Sequence, residues 1–191
     1  MNFIDDFDIE VLEGVYEPSE DTYLILEILE LDDDEDVLEL GCGTGVISLY
    51  CSSKGCNVLS VDKDMKALKN TEKNAKKNDI DISVQKSDLF SNIAKQDWDT
   101  IIFNPPYLPE KKDLPKDERW DGGEKGDEII VKFLKRAGGY LNDDGELYFC
   151  YSSLSPEDKI REVIKCEYRV IDKKIERFFF ENLYGFRLKK K

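Results

Sequence analysis

Histidine is absent from this chain of 191 residues, and its five cysteines include no Cys-x-x-Cys pair. Zinc sites are built from close pairs of cysteine and histidine ligands, so the sequence predicts no metal site within the chain. The odd number of cysteines favours reduced thiols that pack as small apolar side chains, as is usual in an intracellular protein. The cysteines stand at positions 42, 51, 56, 150 and 166.

Long apolar runs are also missing, and none approaches the roughly 20 residues that span a membrane. The first eight residues are acidic and lack the basic and then apolar pattern of a signal peptide. These two absences predict a soluble, cytoplasmic protein with no membrane partner.

Positive charge is scarce, because 28 Lys and Arg stand against 42 Asp and Glu and give a net charge of −14. Such a surface repels phosphate backbones, so we expect no direct binding of free nucleic acid. The one basic cluster, residues 189–191, is interpreted as a solvated tail.

Glycine occupies every second position of one turn, at Gly41, Gly43 and Gly45. An apolar segment, residues 37–40, leads into this turn, and a helical pattern begins at Val46. Strand, glycine turn and helix are typical of the first unit of a doubly wound α/β sheet, which binds ligands at the carboxyl ends of its strands. Glycine lets a ligand approach bare backbone, although the same pattern also occurs in a tight turn without a ligand.

Helical and strand periods alternate along the chain and predict one α/β domain over residues 1–191. Its centre is a Rossmann-like, doubly wound, seven-stranded sheet, mostly parallel, with an antiparallel C-terminal hairpin. Residues 1–35 form a cap segment with a first helix, and residues 108–126 form a long loop on the substrate side. The predicted helices cover 20–31, 46–53, 65–78, 127–141 and 156–165. The predicted strands cover 37–40, 57–61, 80–85, 98–103, 146–151, 168–174 and 177–188.

Polar residues follow the predicted strands, with Asp62 after the second, Asp88 after the third and Asn104 after the fourth. Behind the glycine turn, this order resembles the class I methyltransferases that use S-adenosylmethionine. Residues 104–107, Asn-Pro-Pro-Tyr, and residues 16–22, Tyr-Glu-Pro-Ser-Glu-Asp-Thr, most closely resemble the HemK-type protein glutamine methyltransferases of the archaeal and eukaryotic release-factor branch. The similarity covers nearly the whole chain and includes a glycine pattern that begins with Trp-Asp-Gly-Gly at 120–123.

The resemblance implies a binding site for S-adenosylmethionine. In it, glycine backbone lies against the methionyl part, Asp62 accepts hydrogen bonds from the ribose hydroxyls, and Asp88 with Leu89 meets the adenine. Asp62 and Asp88 could instead cap the helix or turn that follows each, and Tyr16 could simply pack. Asp21 and Thr22 could serve only to cap their helix. The implied cofactor residues are Tyr16, Asp21, Thr22, Glu39, Gly41, Cys42, Gly43, Gly45, Asp62, Lys63, Asp88, Leu89 and Asn104.

Asn104, Pro105 and Tyr107 are the predicted catalytic residues. A primary amide is a poor nucleophile because its nitrogen lone pair is delocalised into the carbonyl. The side-chain carbonyl of Asn104 and the backbone carbonyl of Pro105 offer two acceptors for its two N–H bonds, and the Tyr107 ring can stack on the amide plane. Pro106 completes the predicted substrate site. A Pro-Pro turn that only ends the fourth strand is the alternative.

The same motif resembles enzymes that methylate adenine amino groups, because that NH2 is also planar and conjugated. The acidic charge favours a protein substrate, and the resemblance implies the glutamine of a Gly-Gly-Gln loop on a peptide-chain release factor. Adenine methylation on RNA or DNA, a non-catalytic scaffold and a dehydrogenase stay open as alternatives. The last lacks the final glycine of Gly-x-Gly-x-x-Gly, with Val46 in its place.

The resemblance also implies a small zinc-binding activator subunit that pairs along a sheet edge. Residues 80–85 form the predicted edge strand, in which Ile80, Ile82 and Val84 alternate with polar residues. This alternation suits strand addition by a partner but is ordinary for any half-buried edge strand. Lys125 departs from the family, which often has an acidic residue at that point, and this puts the substrate detail of the loop in question.

Overall fold

The computed structural model describes residues 6–94, 97–109, 119–120 and 122–191 of the chain. Helices and strands alternate through these ranges. The helices are α1 (Glu20–Ile28), α2 (Val46–Ser53), α3 (Met65–Lys77), α4 (Glu128–Ala137) and α5 (Glu157–Glu167). The strands are β1 (Asp36–Leu40), β2 (Asn57–Asp62), β3 (Ser83–Lys86), β4 (Trp98–Phe103), β5 (Leu141–Ser152), β6 (Tyr168–Arg177) and β7 (Asn182–Lys190). None of these helices has the length and apolar content that a membrane crossing needs.

The strands form one seven-stranded sheet in the order β3-β2-β1-β4-β5-β7-β6. Strands β1 to β5 pair in parallel, whereas β7 is antiparallel to both β5 and β6. The predicted doubly wound α/β fold with an antiparallel C-terminal hairpin is therefore confirmed. The carboxyl ends of β1 to β5 meet at one edge of the sheet, here called the cleft edge. Strand β6 ends at the same edge because it runs parallel to β5.

Helices cover both faces of the sheet, because successive residues of a strand point to opposite sides. Ile101 of β4 belongs to one core cluster together with Phe133 of α4 and Ile160 of α5. Its neighbour Ile102 belongs to the opposite cluster together with Leu24 of α1. All five side chains are 0% exposed. Burial of each of these side chains contributes roughly 1.5–3 kcal/mol. The two helical layers therefore hold the sheet from both faces and keep its strand ends in place.

The third strand begins later than predicted, at Ser83 instead of residue 80. Ile80 donates its N–H to the carbonyl of Ala75 over 3.0 Å, and Asp79 has a φ of 55°. A left-handed residue with such a bond terminates a helix, so residues 79 and 80 belong to the end of α3. Strand β3 is at the edge of the sheet, as predicted.

Two helices end earlier than predicted. Helix α1 ends at Ile28 because Leu29 adopts an extended conformation with φ −67° and ψ 124°. Helix α4 spans Glu128–Ala137, and the glycines 138 and 139 follow it directly. Glycine loses more conformational freedom in a helix than other residues do, so a glycine pair is a natural end point.

Strand β5 includes residues 142–145, which the sequence predicts as a turn. Trp98 pairs with Leu141 and Thr100 with Glu146, so the intervening residues of β5 bulge out of register. A Cβ on Gly145 would lie 2.8 Å from the carbonyl oxygen of Trp98, which explains the glycine at this bulge.

The C-terminal hairpin turns at residues 178–181, further along the chain than predicted. Residues 178–180 were predicted to lie in the last strand because aromatic residues favour strands. In the structure they lie before β7. The interpretation of 189–191 as a solvated tail is wrong for its first two residues, which lie in β7. Lys189 forms an ion pair with Glu146 at 3.4 Å, and Lys190 with Asp143 at 3.0 Å.

Candidate active site

The glycine turn lies at the cleft edge, between β1 and α2. The N–H groups of Gly41 and Cys42 both donate to the carbonyl of Val61 in β2, over 2.7 and 3.1 Å. Gly41, Gly43 and Gly45 have φ values of 67°, 54° and 80°. These lie in the left-handed region that favours glycine, so the backbone itself requires glycine at alternate positions.

Gly43 and Gly45 differ in what a side chain would meet. A Cβ on Gly43 would face open space, with no protein atom within 4 Å, whereas a Cβ on Gly45 would lie 2.7 Å from a Thr71 methyl carbon. Gly43 lines the cleft, and Gly45 is the N-cap residue of α2. Gly43 therefore leaves room on the cleft side, while Gly45 packs against α3.

Asp62 ends β2 beside the turn. Its Oδ2 accepts the N–H of Gly43 over 3.3 Å, and its Oδ1 accepts the N–H of Asp64 over 2.8 Å. The cap of α3 is Asp64, whose carboxylate accepts the N–H of Lys66 over 2.9 Å. The alternative in which Asp62 caps this helix is therefore excluded. Burial raises the pKa of the Asp62 carboxyl.

Glu39 and Cys42 also line the cleft. Glu39 is 3% exposed and accepts both the N–H of Ser48, over 3.1 Å, and the Ser48 hydroxyl. Burial raises the pKa of Glu39 to about 8. The Cys42 sulfur accepts the hydroxyl of Thr71 over 3.2 Å, and burial raises the pKa of this thiol well above its ordinary value.

Asp88 and Leu89 lie in the tight turn after β3, where Leu89 has a φ of 49°. The hydroxyl oxygen of Ser87 accepts the N–H of Asn92 over 3.1 Å and so stabilises the turn. Ser87 takes the capping role that was the alternative for Asp88. The exposed Asp88 carboxylate instead forms an ion pair with Lys132 at 3.6 Å.

Asn104 follows β4 at the cleft edge. Its Nδ2 donates to Thr22 Oγ1 over 3.4 Å, and its Oδ1 accepts the thiol of Cys150 over 3.1 Å. Cys150 of β5 is fully buried, and burial raises the pKa of its thiol, which remains a donor. Helix α1 and strand β5 thus hold the carboxamide from two sides. No sequence pattern points to Cys150.

Asp21 of α1 joins two of the predicted aromatic residues. Its carboxylate accepts the hydroxyl of Tyr16 over 2.7 Å and the hydroxyl of Tyr107 over 3.1 Å, and Asp21 is 4% exposed. Burial, and after it the charge of Asp21, raises the pKa of both tyrosines. The Tyr16 ring also meets the edge of Trp120, with 4.9 Å between ring centroids. Tyr16 therefore packs across the cleft through both its hydroxyl and its ring.

Lack of space accounts for the glycines Gly122 and Gly126 in the pattern that follows Asn-Pro-Pro-Tyr. A Cβ on Gly122 would lie 2.5 Å from the carbonyl oxygen of Pro106, and a Cβ on Gly126 would lie 2.5 Å from that of Tyr107. Gly126 also has a φ of 88°. The glycine segment therefore packs backbone against backbone on the loop that carries Tyr107.

The predicted substrate-side loop is described at its two ends. Leu108 donates its N–H to the carbonyl of Trp120 over 2.8 Å, which closes the base of the loop. Lys125 donates its N–H to the carboxylate of Glu128 over 3.2 Å. Residues 110–118 and 121 lie outside the described residues, so the prediction for this part of the loop stays a prediction.

Three asparagines of α3 hold the N-terminal segment, a role that was not predicted from the sequence. Asn70, Asn74 and Asn78 follow one another at i, i+4 along one face of α3 and are here called the asparagine ladder. Asn74 also donates to the carbonyl of Thr44 over 2.9 Å, so the ladder ties the segment that leads to Tyr16 onto the glycine turn. The four-residue spacing of the asparagines in the sequence could have indicated that their side chains share one face of α3. Their side-chain oxygens accept the N–H groups of Leu12 over 2.7 Å, Glu10 over 3.0 Å and Asp8 over 2.8 Å.

One cleft brings the predicted residues together. Gly45 is the exception, since it contacts α3 from behind the turn. The predicted residues that line the cleft are Tyr16, Asp21, Thr22, Glu39, Gly41, Cys42, Gly43, Asp62, Lys63, Asp88, Leu89, Asn104, Pro105, Pro106 and Tyr107.

Comparison with known families decides the class of this cleft. The sequence profile of the methyltransferase small domain family matches residues 11–176. The chain belongs to this family. It is therefore a methyltransferase, and the dehydrogenase alternative is withdrawn. A solved structure of similar fold, the 16S rRNA methyltransferase RsmC of Thermus thermophilus, holds S-adenosylmethionine and guanosine; its TM-score is 0.73 and its identity 19%, with 97% of this chain and 47% of that chain covered.

Individual proteins agree with this assignment. The methyltransferase is 40% identical over 156 residues to the putative protein N5-glutamine methyltransferase of Methanocaldococcus jannaschii, with 79% of each chain covered. It is 27% identical over 198 residues to the eRF1 methyltransferase catalytic subunit mtq2 of Schizosaccharomyces pombe, which covers 88% of this chain and 86% of the relative. In fold it is similar to the crystal structure of a methyltransferase from Pyrococcus furiosus, with a TM-score of 0.75, 21% identity, and 97% and 90% of the two chains covered.

The residues that line the cleft fit the chemistry of S-adenosylmethionine. The open space beside Gly43 leaves bare backbone towards the cleft. Asp62 offers a partly desolvated carboxylate at the next strand end, which is the kind of acceptor that a ribose diol requires. Open backbone at Gly43 and the carboxylate acceptor of Asp62 are therefore adjacent in one cleft.

Proposed function

We propose that this methyltransferase transfers a methyl group to the side-chain amide nitrogen of a protein glutamine. The proposed target is the glutamine of the Gly-Gly-Gln loop on a peptide-chain release factor. Two relatives that cover most of the chain support the proposal through their names, one an N5-glutamine methyltransferase and the other an eRF1 methyltransferase. The net charge of −14 adds support, since a basic ribosome-associated protein is attracted to such a surface and free nucleic acid is repelled.

The position of the Asn104 side chain carries the proposal. Asn104 and the three residues after it line the same cleft as Gly43 and Asp62. The Oδ1 atom of Asn104 has two lone pairs, of which the Cys150 thiol uses one. The second lone pair is available to a substrate N–H. A side-chain acceptor of this kind in the cofactor cleft is what a planar NH2 group needs for orientation.

The protein contributes orientation more than acid–base chemistry. S-adenosylmethionine supplies an electrophilic methyl group on its sulfonium. In our proposal Asn104 and the carbonyl of Pro105 accept the two amide N–H bonds, and Tyr107 presents its ring to the amide plane. In well-oriented reactions, orientation can supply up to roughly 7–11 kcal/mol of the barrier. The amide nitrogen becomes far more acidic once it is methylated, so its proton can leave to water, and the chain needs no histidine for this step.

The cofactor-binding roles follow from the fit of the cleft. We infer that Asp62 holds the ribose, that Asp88 and Leu89 meet the adenine, and that the turn at Gly41 and Gly43 receives the methionyl part. The inferred contacts of Tyr16, Asp21, Thr22, Glu39, Cys42, Lys63 and Asn104 complete this set, since all of them line the cleft.

A second subunit is part of the proposal. The fission yeast relative is named as a catalytic subunit, which implies a partner for that protein. In this chain we infer that a small zinc-binding activator adds a strand to β3, the edge strand Ser83–Lys86. Edge strands present unpaired N–H and C=O groups, which is the requirement for such pairing.

The test uses Asn104→Ala with labelled S-adenosylmethionine, with and without the candidate zinc subunit. Release factor, histone and tRNA serve as acceptors, and mass spectrometry locates the added methyl. We expect label on the release-factor glutamine with the wild type and a loss of at least about 100-fold with Asn104→Ala, because one orienting acceptor is gone. Cofactor affinity should change far less than the rate.

Asn57→Ala is the matched control, because Asn57 begins β2 at the opposite edge of the sheet. It should methylate like the wild type. Label on tRNA alone would replace the proposal with adenine methylation. If the protein binds the cofactor but methylates none of the acceptors, the result would favour the non-catalytic scaffold.

A further inference from the structure

The tip of the C-terminal hairpin is aromatic and exposed. Phe179 and Phe180 are 92% and 86% exposed, and Phe178 before them is 42% exposed. The first two rings meet edge to face, with 4.7 Å between centroids. The N–H of Phe178 donates to the carbonyl of Glu181 over 2.8 Å, so the turn itself is closed and ordered by hydrogen bonding. Contiguous exposed apolar side chains, unlike single ones, mark interaction sites.

The tip stands at the cleft edge of the sheet. Strand β6 runs parallel to β5 and ends at Arg177, directly before the tip. Ser153, just past the end of β5, donates its N–H to the carbonyl of Asn182 over 2.8 Å. Asn182 returns its own N–H to the Ser153 hydroxyl over 2.9 Å. The tip is thereby anchored to the loop between β5 and α5.

The same loop is bonded to the catalytic segment. The hydroxyl of Ser155 donates to the carbonyl of Tyr107, two residues from Ser153 along the loop. Leu154, between these two serines, is 49% exposed. A continuous rim therefore runs from Tyr107 through Leu154 to Phe179 and Phe180.

The charges around the tip favour a protein over a nucleic acid. Residues 168–191 hold eight Lys and Arg against three Asp and Glu, unlike the acidic remainder of the chain. Several of these cations are nevertheless paired on the surface, as Lys174 is with Glu27. Lys173 lies over the ring of Tyr184, 4.5 Å from its centroid. Exposed aromatics beside cations that are already held in ion pairs are typical of protein interfaces, whereas single-stranded nucleic acid needs a continuous groove of available cations.

We propose that the hairpin tip is a docking surface for the protein substrate, which Phe179 and Phe180 grip outside the glutamine loop. This inference rests on the proposed function. The occupant follows from the position of the tip, because a protein whose glutamine reaches Asn104 must cover the rim beside Tyr107. The tip then adds affinity for the intact substrate and takes no part in methyl transfer.

The test is the double variant Phe179→Ser/Phe180→Ser, measured with intact release factor. We expect the KM for release factor to rise about tenfold, the factor that corresponds to 1.4 kcal/mol, with kcat and cofactor affinity unchanged. Calorimetric titration of release factor should show the same loss of affinity. The control, Val170→Ser/Ile171→Ser, removes side chains that are 46% and 42% exposed from the start of β6, the strand that leads to the tip, at the opposite edge of the sheet. It should leave KM unchanged.

Different results separate this inference from the proposed function. If the wild type fails to methylate release factor, the proposed function is wrong. The titration then still tests the docking surface, because it compares release-factor binding by the wild type and by the tip variant. If the wild type methylates it and the tip variant has the same KM and affinity, the docking surface is wrong and the function stands. A variant that instead loses only binding to a single-stranded RNA oligonucleotide, or only self-association in light scattering, also overturns the docking surface.

Discussion

The thiol of Cys150 donates a hydrogen bond to the side-chain oxygen of Asn104 over 3.1 Å. Strand β5 thereby sets the orientation of a carboxamide that belongs to the end of β4. The thiol is fully buried, and the carboxylate of Asp21 adds to burial in raising its pKa, so the donor persists across the neutral range. A buried thiol thus acts as a positioning group in this cleft.

Cys150→Val tests this relationship. Valine fills the space but cannot donate, so the Asn104 amide loses one of its two orienting contacts. A neutral hydrogen bond is worth about 1 kcal/mol, and we expect kcat to fall about fivefold with the cofactor Kd unchanged. Single-turnover methylation and calorimetric cofactor titration measure the two quantities.

Cys150→Ser is the matched variant, because a hydroxyl restores a donor at the same position. Its rate should exceed that of Cys150→Val. Equal rates for the two variants would mean that the thiol only fills space.

Gly43→Ala and Gly45→Ala should separate binding from folding. The Cβ at Gly43 would point into the open cleft, whereas at Gly45 it would lie 2.7 Å from Thr71. Both alanines carry the cost of a left-handed residue, about 1–2 kcal/mol. We expect Gly43→Ala to lower cofactor affinity at least about tenfold with little further loss of stability. Gly45→Ala should lower the free energy of unfolding more strongly.

Urea unfolding and cofactor titration on both variants check this prediction. If Gly43→Ala binds S-adenosylmethionine like the wild type, the cofactor does not lie against the turn at that residue.

Glu39 predicts a pH dependence of stability. Its folded pKa of about 8 lies above the ordinary value of 4.5, so the folded protein holds an extra proton between these pH values. The unfolded chain binds fewer protons there, and the contribution of Glu39 to the free energy of unfolding therefore falls as pH rises from about 4.5 to about 8. The slope is at most about 1.4 kcal/mol per pH unit.

Glu39→Gln removes this slope, because glutamine keeps an acceptor for the Ser48 N–H and does not titrate. Denaturant unfolding of the cofactor-free protein from pH 5 to 8.5 should show the variant gaining on the wild type as pH rises. The same substitution at the exposed Glu72 corrects for the change in net charge. Parallel curves for wild type and Glu39→Gln would contradict the raised pKa.

Local sequence patterns predicted the parts of the cleft that are themselves local. The glycine turn, Asp62 and Asn104 each end a strand of regular period, and parallel strands bring such ends to one edge. For this reason the predicted residues gather in one cleft without any knowledge of tertiary contacts. Capping could be judged only from the structure, which gives that role to Asp64 and Ser87 instead of Asp62 and Asp88.

Contacts across long separations could not be predicted in this way. Cys150 and Asn104 stand 46 residues apart, and their pairing depends on the register of β4 against β5. The bulge near Gly145 sets that register, and the sequence interpreted it as a turn. The asparagine ladder joins residues about 60 to 70 apart, although its spacing on α3 could have been noticed. The hairpin tip was missed because three consecutive phenylalanines favour a strand over a turn.

The close packing of Gly122 and Gly126 on the backbone of Pro106 and Tyr107 bears on how this enzyme can diversify. Leu108 and Trp120 are joined at the base of the loop, so the sequence between them can vary while both of its attachment points stay fixed beside Asn104. If this loop lies on the substrate side, as proposed from the sequence, evolution can exchange the target without rebuilding the residues beside Asn104, provided that the two glycines remain.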